Sequence, residues 1–589
     1  MKNIFKTGIL AVLMLAFSCD SFDLDLQNDP NQPTVDQAET DFVYNSIQLN
    51  FATFQNAIWL PTAWPARMVQ GAIGTNYVNA FGPQSYNFIW RLAYSEMFPD
   101  IDLLTEATDI NPSQHIYSGS ARVMKAYVMV TLVDLFNDVP YSEAGLGVEN
   151  FSPNVDAGAD VYAEALRVLA EGISILEETP ESTINPAFEP MYTSAAGWIS
   201  AANSLRIKIL NSRRLVDAGA AAAIESIRQD GNFIADNGSN WEFPYGTNQL
   251  NPSTRHGFYQ DSYNAVDGTY MSNYYMWSML DEKVDPVTEL SIRDPRINFY
   301  FYRPVQSVPL DNENIFSCIG ILAPSVDPPT PVPAHYTAVD PNLPYCVASI
   351  EDGYYGRDFG NGAGIPPDGP VRTVYGLYPG GGAFDDGTAD IGQTNNNGVD
   401  GALGAGINPI LQASFMNFIF AENFLDLNEP TRARGQLEEG MRNSFDRVLS
   451  FSSLIGDVGK VVASNAATGE SITLEERFLD TYDDDVDTYV DFVLDQYDAA
   501  TSDDERLDII MKEYHIAAWG NGIEVYNNLR RTGKPSNVAP LEDPLLAGTA
   551  VFAWSAIYPQ EYVNLNQNAV QKAVTDKVFW DNTPADAVR

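Results

Sequence analysis

The sequence predicts a mainly α-helical body with tetratricopeptide-like helix hairpins and long irregular loops. Apolar residues recur at helical spacing in segment after segment, whereas the strict alternation of a half-buried strand is scarce. A third observation is a stretch of 54 residues, Gly353 to Gly406, that holds 16 glycines and cannot form a packed helix. With 45% apolar and 12% aromatic residues, the 589-residue chain has material for a core despite a formal net charge of −45. That charge excludes nucleic acid as a partner, because counter-ion release needs a basic stripe facing phosphates. It also disfavours direct binding to an anionic leaflet.

The elements follow in order. Lys2 and Lys6 precede an uncharged apolar run, Gly8 to Phe17, too short to span a bilayer, which ends at Ser18 and Cys19. This is the pattern of a signal peptide, residues 1–18, whose last residues resemble a bacterial lipobox with Cys19 as the acylated N-terminus. Residues 19–34 are polar, with Asp20, Asp23, Asp25, Pro30 and Pro33, and read as a lipid tether ahead of a single domain, 35–589. Ala121 to Phe136 places Val123, Tyr127, Val128, Leu132 and Leu135 on one broad face, and Pro140 forbids continuation. Val161 to Leu176 and Trp198 to Leu215 repeat the period. Ala413 to Leu427 and Pro430 to Leu449 form an antiparallel hairpin, with Pro430 at a helix start. Glu505 to Asn528 is helical with a break at Gly520 and Gly522. Trp90, Tyr127 and Trp198 lie on amphipathic helices and are expected in the core.

The glycine-rich segment 353–406 is read as a loop insertion. Its glycines are interleaved with Tyr354, Tyr355, Phe359, Tyr375, Tyr378 and Phe384, which a free linker would not need. Cys318 and Cys346 flank a proline-rich stretch and are candidates for a disulfide, the alternative being two unpaired thiols. Four histidines with no two close in sequence, and no paired-cysteine motif, leave no zinc site of the usual spacing. The acidic run Asp483, Asp484, Asp485, Asp487, Asp491 and Asp495 fails the calcium-loop pattern, with Thr488 where glycine is required and Leu494 where glutamate is. It reads as a solvated acidic face. A calcium site assembled from distant loops is left open, and no cofactor is expected.

Several segments together resemble one family. They are the Asp29-Pro30-Asn31 stretch behind Cys19, Ala121 to Tyr127 followed by LVDLFNDVPYSEAG (132–145), Asn203 to Leu210 and Arg293-Asp294-Pro295-Arg296. The hairpin Phe418 to Val448, Gly520 to Pro535, Tyr558 to Tyr562, Asn566 and Trp580-Asp581 complete the set. In that order they are similar to the SusD/RagB family of outer-membrane nutrient-uptake lipoproteins, in particular its SusD-like, starch-binding-associated subgroup. Asn137 stands where the family usually has glycine, and Asn423 where it has alanine. The resemblance implies a SusD-like helical body, displayed by its lipid on the surface of a Bacteroidetes-type cell. It implies a lid over a SusC-like TonB-dependent transporter that captures oligosaccharide, or peptide in some members, without a catalytic step.

A glycan site needs aromatic faces for the C–H-rich sides of sugars and a few polar groups for the hydroxyls. The ligand-binding candidates are Trp64, Tyr77, Phe81 and Tyr86, then Tyr259 and Tyr263, then Tyr354, Tyr355 and Tyr375. Arg530 and Arg531 beside Glu524 are read as structural ion-pairing residues rather than a phosphate site. No nucleophile elbow, HExxH, Walker loop or dinucleotide fingerprint supports an enzyme. The rival to nutrient capture is a structural SusD-like subunit of a larger outer-membrane complex without a nutrient ligand. Replacing Cys19 by Ser is expected to abolish labelling by palmitate and release the protein from the membrane fraction; retention of both by the variant would overturn lipidation at Cys19.

Overall fold

Helices form where the apolar period places them, and their ends follow from local capping chemistry. The structure, a computed structural model, describes residues 39–71, 82–185, 190–264, 268–306, 316–318, 321–322, 332–346, 353–361, 372–389, 391, 398–465, 468–542 and 552–584. Helix α1 (Thr40–Ala63) buries Tyr44, Ile47, Phe51, Phe54 and Ile58. After α2 (Phe98–Thr108), α3 (His115–Phe136) is buried on almost every side, as expected of a helix with no continuous polar face. Helix α4 (Gly158–Glu178) packs along α3. A Cβ on Gly119 would lie 2.4 Å from Leu176, which excludes a side chain there unless Leu176 moves, and one on Gly172 would lie 3.1 Å from the Gly119 carbonyl oxygen, a tight fit. Asn137, where the family usually has glycine, ends α3 at a φ of 65°, a conformation that asparagine tolerates better than most residues.

Helix α5 (Ala195–Ser212) begins at Ser194, whose hydroxyl accepts the Gly197 N–H, and α6 (Ala220–Asp230) ends on left-handed Gly231. Sequence periodicity carried α5 to Leu215. The helix instead stops at Ser212, and Arg213 folds back onto Asp217 at 2.6 Å. A short helix α7 (Asn273–Leu280) is wholly buried. The hairpin of α8 (Ala413–Asp426) and α9 (Pro430–Leu449) turns at Asn428, whose φ is 59°. Helix α10 (Tyr482–Ala499) carries the acidic run on its exposed face, with Asp483, Asp484 and Asp485 in the first turn, where the helix dipole favours them. Two further acids of α10 anchor it to α9, Asp487 to Arg442 at 2.8 Å and Asp498 to Arg434 at 2.9 Å. Helix α11 (Asp503–Ala517) opens with a Ser502–Glu505 capping box, and α12 (Gly522–Thr532) with Asn521 capping Glu524.

Strands are short and occur in antiparallel pairs among the described residues. Strand β1 (Trp241–Pro244) pairs with β4 (Ile407–Leu411), and β2 (Phe301–Tyr302) with β3 (Val374–Tyr375). Both pairs stitch the glycine-rich segment to the helical body. Among the core expectations, Tyr127 and Trp198 are fully buried and Trp90 is partly buried against Tyr94 and Tyr562. Cys346 is disulfide-bonded, while the Cys318 side chain lies outside the described residues.

Charge inside this body is paired across elements. Lys208 of α5 meets Glu524 of α12, and both are buried. Burial alone would lower the Lys208 pKa, but Glu524 and the Tyr127 hydroxyl outweigh it and hold the ammonium charged. Arg530 and Arg531 turn away from Glu524. Arg531 grips Glu422 of α8, which Arg214 approaches to 3.1 Å, and Arg530 donates to the Trp554 carbonyl at 2.8 Å. Burial alone would raise the Glu422 pKa, but Arg214 and Arg531 together hold it below the ordinary carboxylate range. Its contribution to stability is therefore full above the unfolded-state pKa and is lost as pH falls through the folded value. Glu422→Ala leaves the buried Arg531 guanidinium without its anion, while Arg214 keeps Asp426, and is expected to destabilise the fold by about 3–5 kcal/mol, read as a large drop in thermal midpoint. A drop within that of surface controls would show the charges to be rehydrated.

Candidate functional site

The glycine-rich segment is ordered by its own composition. Its chain passes itself at distances that exclude a side chain: a Cβ on Gly382 would sit 2.5 Å from the Gly376 carbonyl oxygen, and Gly401, at φ 65°, lies directly over Gly382. The glycines thus bring backbone against backbone.

Tyrosine hydroxyls fix the same segment from below. Tyr259 and Tyr263 stack with centroids 4.5 Å apart and planes 2° from parallel. The Tyr259 hydroxyl donates to the Asp400 carbonyl at 2.8 Å, and Tyr302 donates to that of Ala389 at 2.7 Å. Tyr263 donates to the Tyr375 carbonyl at 2.9 Å and accepts the Ala383 N–H at 2.7 Å. These rings form a small cluster of their own with Val374, Ala383 and Ile391. Earlier in the chain, His256 holds the end of this loop. Its Nδ1 accepts the Phe258 N–H at 3.0 Å, so Nε2 donates to Asn408 Oδ1 at 3.1 Å. Burial pushes the imidazole pKa down to about 4.

Above this floor opens a cleft of about 190 Å³, shared between the glycine-rich segment and the loop after α9. Its apolar part comes from Ala383, Phe384, Leu454 and Ile455, and its polar part from Asp386, Thr388, Asp400, Asp457 and Lys460. Lys460 forms an ion pair with Asp386 and donates to Thr388 Oγ1 at 2.9 Å. Three carboxylates, a hydroxyl and one ammonium can accept from and donate to a ligand rich in hydroxyls. Their net negative charge repels anions. Just beneath, Asp385 is buried against Arg303 at 2.7 Å and accepts the Tyr354 hydroxyl at 3.2 Å.

The aromatic candidates occupy three separate places, and each described one is buried at 5% exposure or less. Trp64 packs on Phe359 and donates to Gln70, and Tyr86 meets the edge of Phe136. Tyr354 lies under Arg303, and Tyr375 stacks on Phe258 at 4.1 Å while accepting the Trp59 indole N–H. Tyr355 bonds Thr373 through its backbone, and its hydroxyl is buried without a hydrogen-bond partner among the described residues. In this conformation the described rings expected as stacking faces are packed in the core; the Tyr259 and Tyr263 hydroxyls bond backbone, while Trp64, Tyr354 and Tyr375 bond side chains. Tyr77 and Phe81, like Cys19, lie outside the described residues. Sequence reading missed Asp386, Asp400, Asp457 and Lys460, which no motif marks. Among the described residues no cluster of three or more His, Cys, Asp or Glu side chains could hold a metal, and no helix is long and apolar enough to cross a membrane.

The short strand pairs, the helix hairpins and the loop-built cleft define a SusD-like body. Residues 32–324 match the SusD-like family described as starch-binding and associating with the outer membrane, and this part of the chain belongs to that family. Among solved structures it is similar to a SusD homologue of Bacteroides fragilis, at 16% identity and a TM-score of 0.60, over 93% of this chain and 100% of that one. A SusD/RagB family protein of Bacteroides thetaiotaomicron gives 14% identity and a TM-score of 0.59, over 93% of this chain and 100% of that one. A chitin-binding SusD homologue from Flavobacterium johnsoniae gives 16% and 0.59, over 92% of this chain and 100% of that one. At these identities the likeness shows the fold. No curated protein matches the chain in sequence.

Because the His256 pKa is depressed from 6.5 to about 4, its neutral form stabilises the loop fully above pH 6.5, and that contribution is lost as pH falls toward 4. Its share is on the order of 3 kcal/mol. His256→Gln is expected to flatten the fall in thermal midpoint between those pH values; an unchanged acid slope would remove His256 as its cause.

Proposed function

We propose that this chain is a surface-displayed, lipid-anchored binding protein of the outer membrane. It captures a neutral oligosaccharide at the cleft of the glycine-rich segment and passes it, unmodified, to a SusC-like TonB-dependent transporter. The observation that carries this reading is the cleft itself, where hydroxyl-reading groups cluster on a backbone fixed by three tyrosines. Its volume, below the roughly 300–1,000 Å³ of drug-sized pockets, suits the end of a glycan rather than a long stretch. Family membership and the chitin-binding neighbour support carbohydrate as the ligand class and the outer membrane as the place. Lipid attachment through Cys19 and docking on the transporter rest on the resemblance of the sequence.

One observation favours a second reading. Every described aromatic candidate is buried, which fits a structural subunit of a larger outer-membrane complex without a nutrient ligand. Affinity purification from solubilised outer membranes separates the two, since recovery of a single TonB-dependent barrel supports uptake and recovery of several unrelated components supports the subunit role.

Calorimetric titration with chitotetraose and maltotetraose tests the cleft. Lys460→Ala and Asp400→Asn are each expected to weaken the bound sugar about tenfold, as for loss of a charge-assisted hydrogen bond. Binding at wild-type affinity in both variants would place the glycan elsewhere.

A further inference from the structure

A second cleft, of about 370 Å³, lies between α4, α5 and α6, and no residue lines both clefts. Its apolar wall is Leu166, Leu210 and Ile227, and two opposite charges, Arg206 and Asp230, line it. Arg206 is the exception among the cations of its neighbourhood. Lys208, Arg213 and Arg214 each hold a carboxylate, whereas Arg206 donates to Asn203 Oδ1 at 3.0 Å and has no carboxylate in ion-pair range among the described residues. In so acidic a chain such a half-buried guanidinium has an open electrostatic demand.

Asp230 has the complementary demand. It ends α6, where the last backbone carbonyls already concentrate negative potential and an acid is unfavourable. The nearby cation, Arg228, is engaged by Glu225 at 2.7 Å, and no cation pairs with Asp230 among the described residues. Arg206 and Asp230 line one cleft without bonding to each other, so the cleft holds its two charges apart.

We propose that this cleft binds a short peptide with free termini and an aliphatic side chain. The peptide carboxylate takes the free N–H groups of Arg206, its ammonium takes the Asp230 carboxylate and the α6 carbonyls, and its side chain packs on Leu166, Leu210 and Ile227. A zwitterion meets both charges at once. A fully anionic ligand would gain Arg206 but meet Asp230, and a neutral glycan would leave both charges unpaired.

The test is calorimetric titration of the full chain with leucyl-leucine, its N-acetyl form and its C-terminal amide. Wild-type protein is expected to bind leucyl-leucine saturably in the millimolar range or tighter, with each block weakening it about tenfold. Arg206→Gln is expected to bind acid and amide alike, and Asp230→Asn to bind free and acetylated forms alike. These ratios do not depend on the folded fraction, so a destabilised variant still reports. Absence of saturable binding by the wild type, or wild-type discrimination retained by both variants, overturns the proposal.

Discussion

The fold depends on a buried ion pair, Lys208 with Glu524, between residues 316 positions apart in the chain. A charge taken from water must find its partner, so α12 can dock against α5 in one register only. The rest of α12 enforces the same register. Arg531 reaches Glu422 on α8, and Asn527 donates to Asp134 on α3 at 2.7 Å. Asp134 in turn accepts the Trp580 indole N–H at 3.1 Å, which brings the last described segment onto the helices. At its N-terminus α12 abuts α1, where a Cβ on Gly522 would lie 2.6 Å from the Ala63 backbone nitrogen. One helix of 11 residues thereby fixes four others.

This frame is what allows a glycine-rich segment to be a structured part of the molecule. A chain with so many glycines loses much conformational entropy on ordering, and its own Tyr354, Tyr375, Tyr378 and Phe384, buried in the core, offset part of that cost. Further compensation comes from outside the segment, through β1, which pairs with β4 directly after it, through β2, which pairs with Val374–Tyr375 within it, and through Tyr259, Tyr263 and Tyr302, which satisfy its backbone groups. The tyrosines combine a large apolar ring with a polar tip, so one residue both fills the space below a loop and hydrogen-bonds it.

The helices were legible in the sequence because an apolar face repeats locally, and α8 and α9 were found almost to the residue. The break at Gly520 was legible from its glycines, and the acidic run was legible as a solvated face although the helix α10 that carries it was not. The partner of Glu524 was not. Sequence proximity pointed to Arg530 and Arg531, whereas the structure supplies Lys208, since ion pairs follow space rather than order. The aromatic candidates illustrate the same limit. Composition identified a region where tyrosine and glycine coincide, and that region does carry the cleft, but nothing local distinguishes a ring that faces a ligand from one that faces the core. Asp386, Asp400, Asp457 and Lys460 come together only after two loops separated by two helices meet, and carboxylates are too common here to stand out singly.

Backbone packed against backbone has a consequence for how such a protein can diversify. Gly376, Gly382, Gly401 and Gly406 each have a carbonyl oxygen 2.1 to 2.5 Å from where a Cβ would be. Substitution there is closed by steric exclusion, and substitution of the supporting tyrosines is restricted because each satisfies buried main-chain groups. The positions less constrained by packed backbone are the few polar ones on the cleft rim, such as Thr388, Asp457 and Lys460. Charge and hydroxyl at the mouth can therefore be exchanged without rebuilding the loop, while the shape of the mouth is held constant.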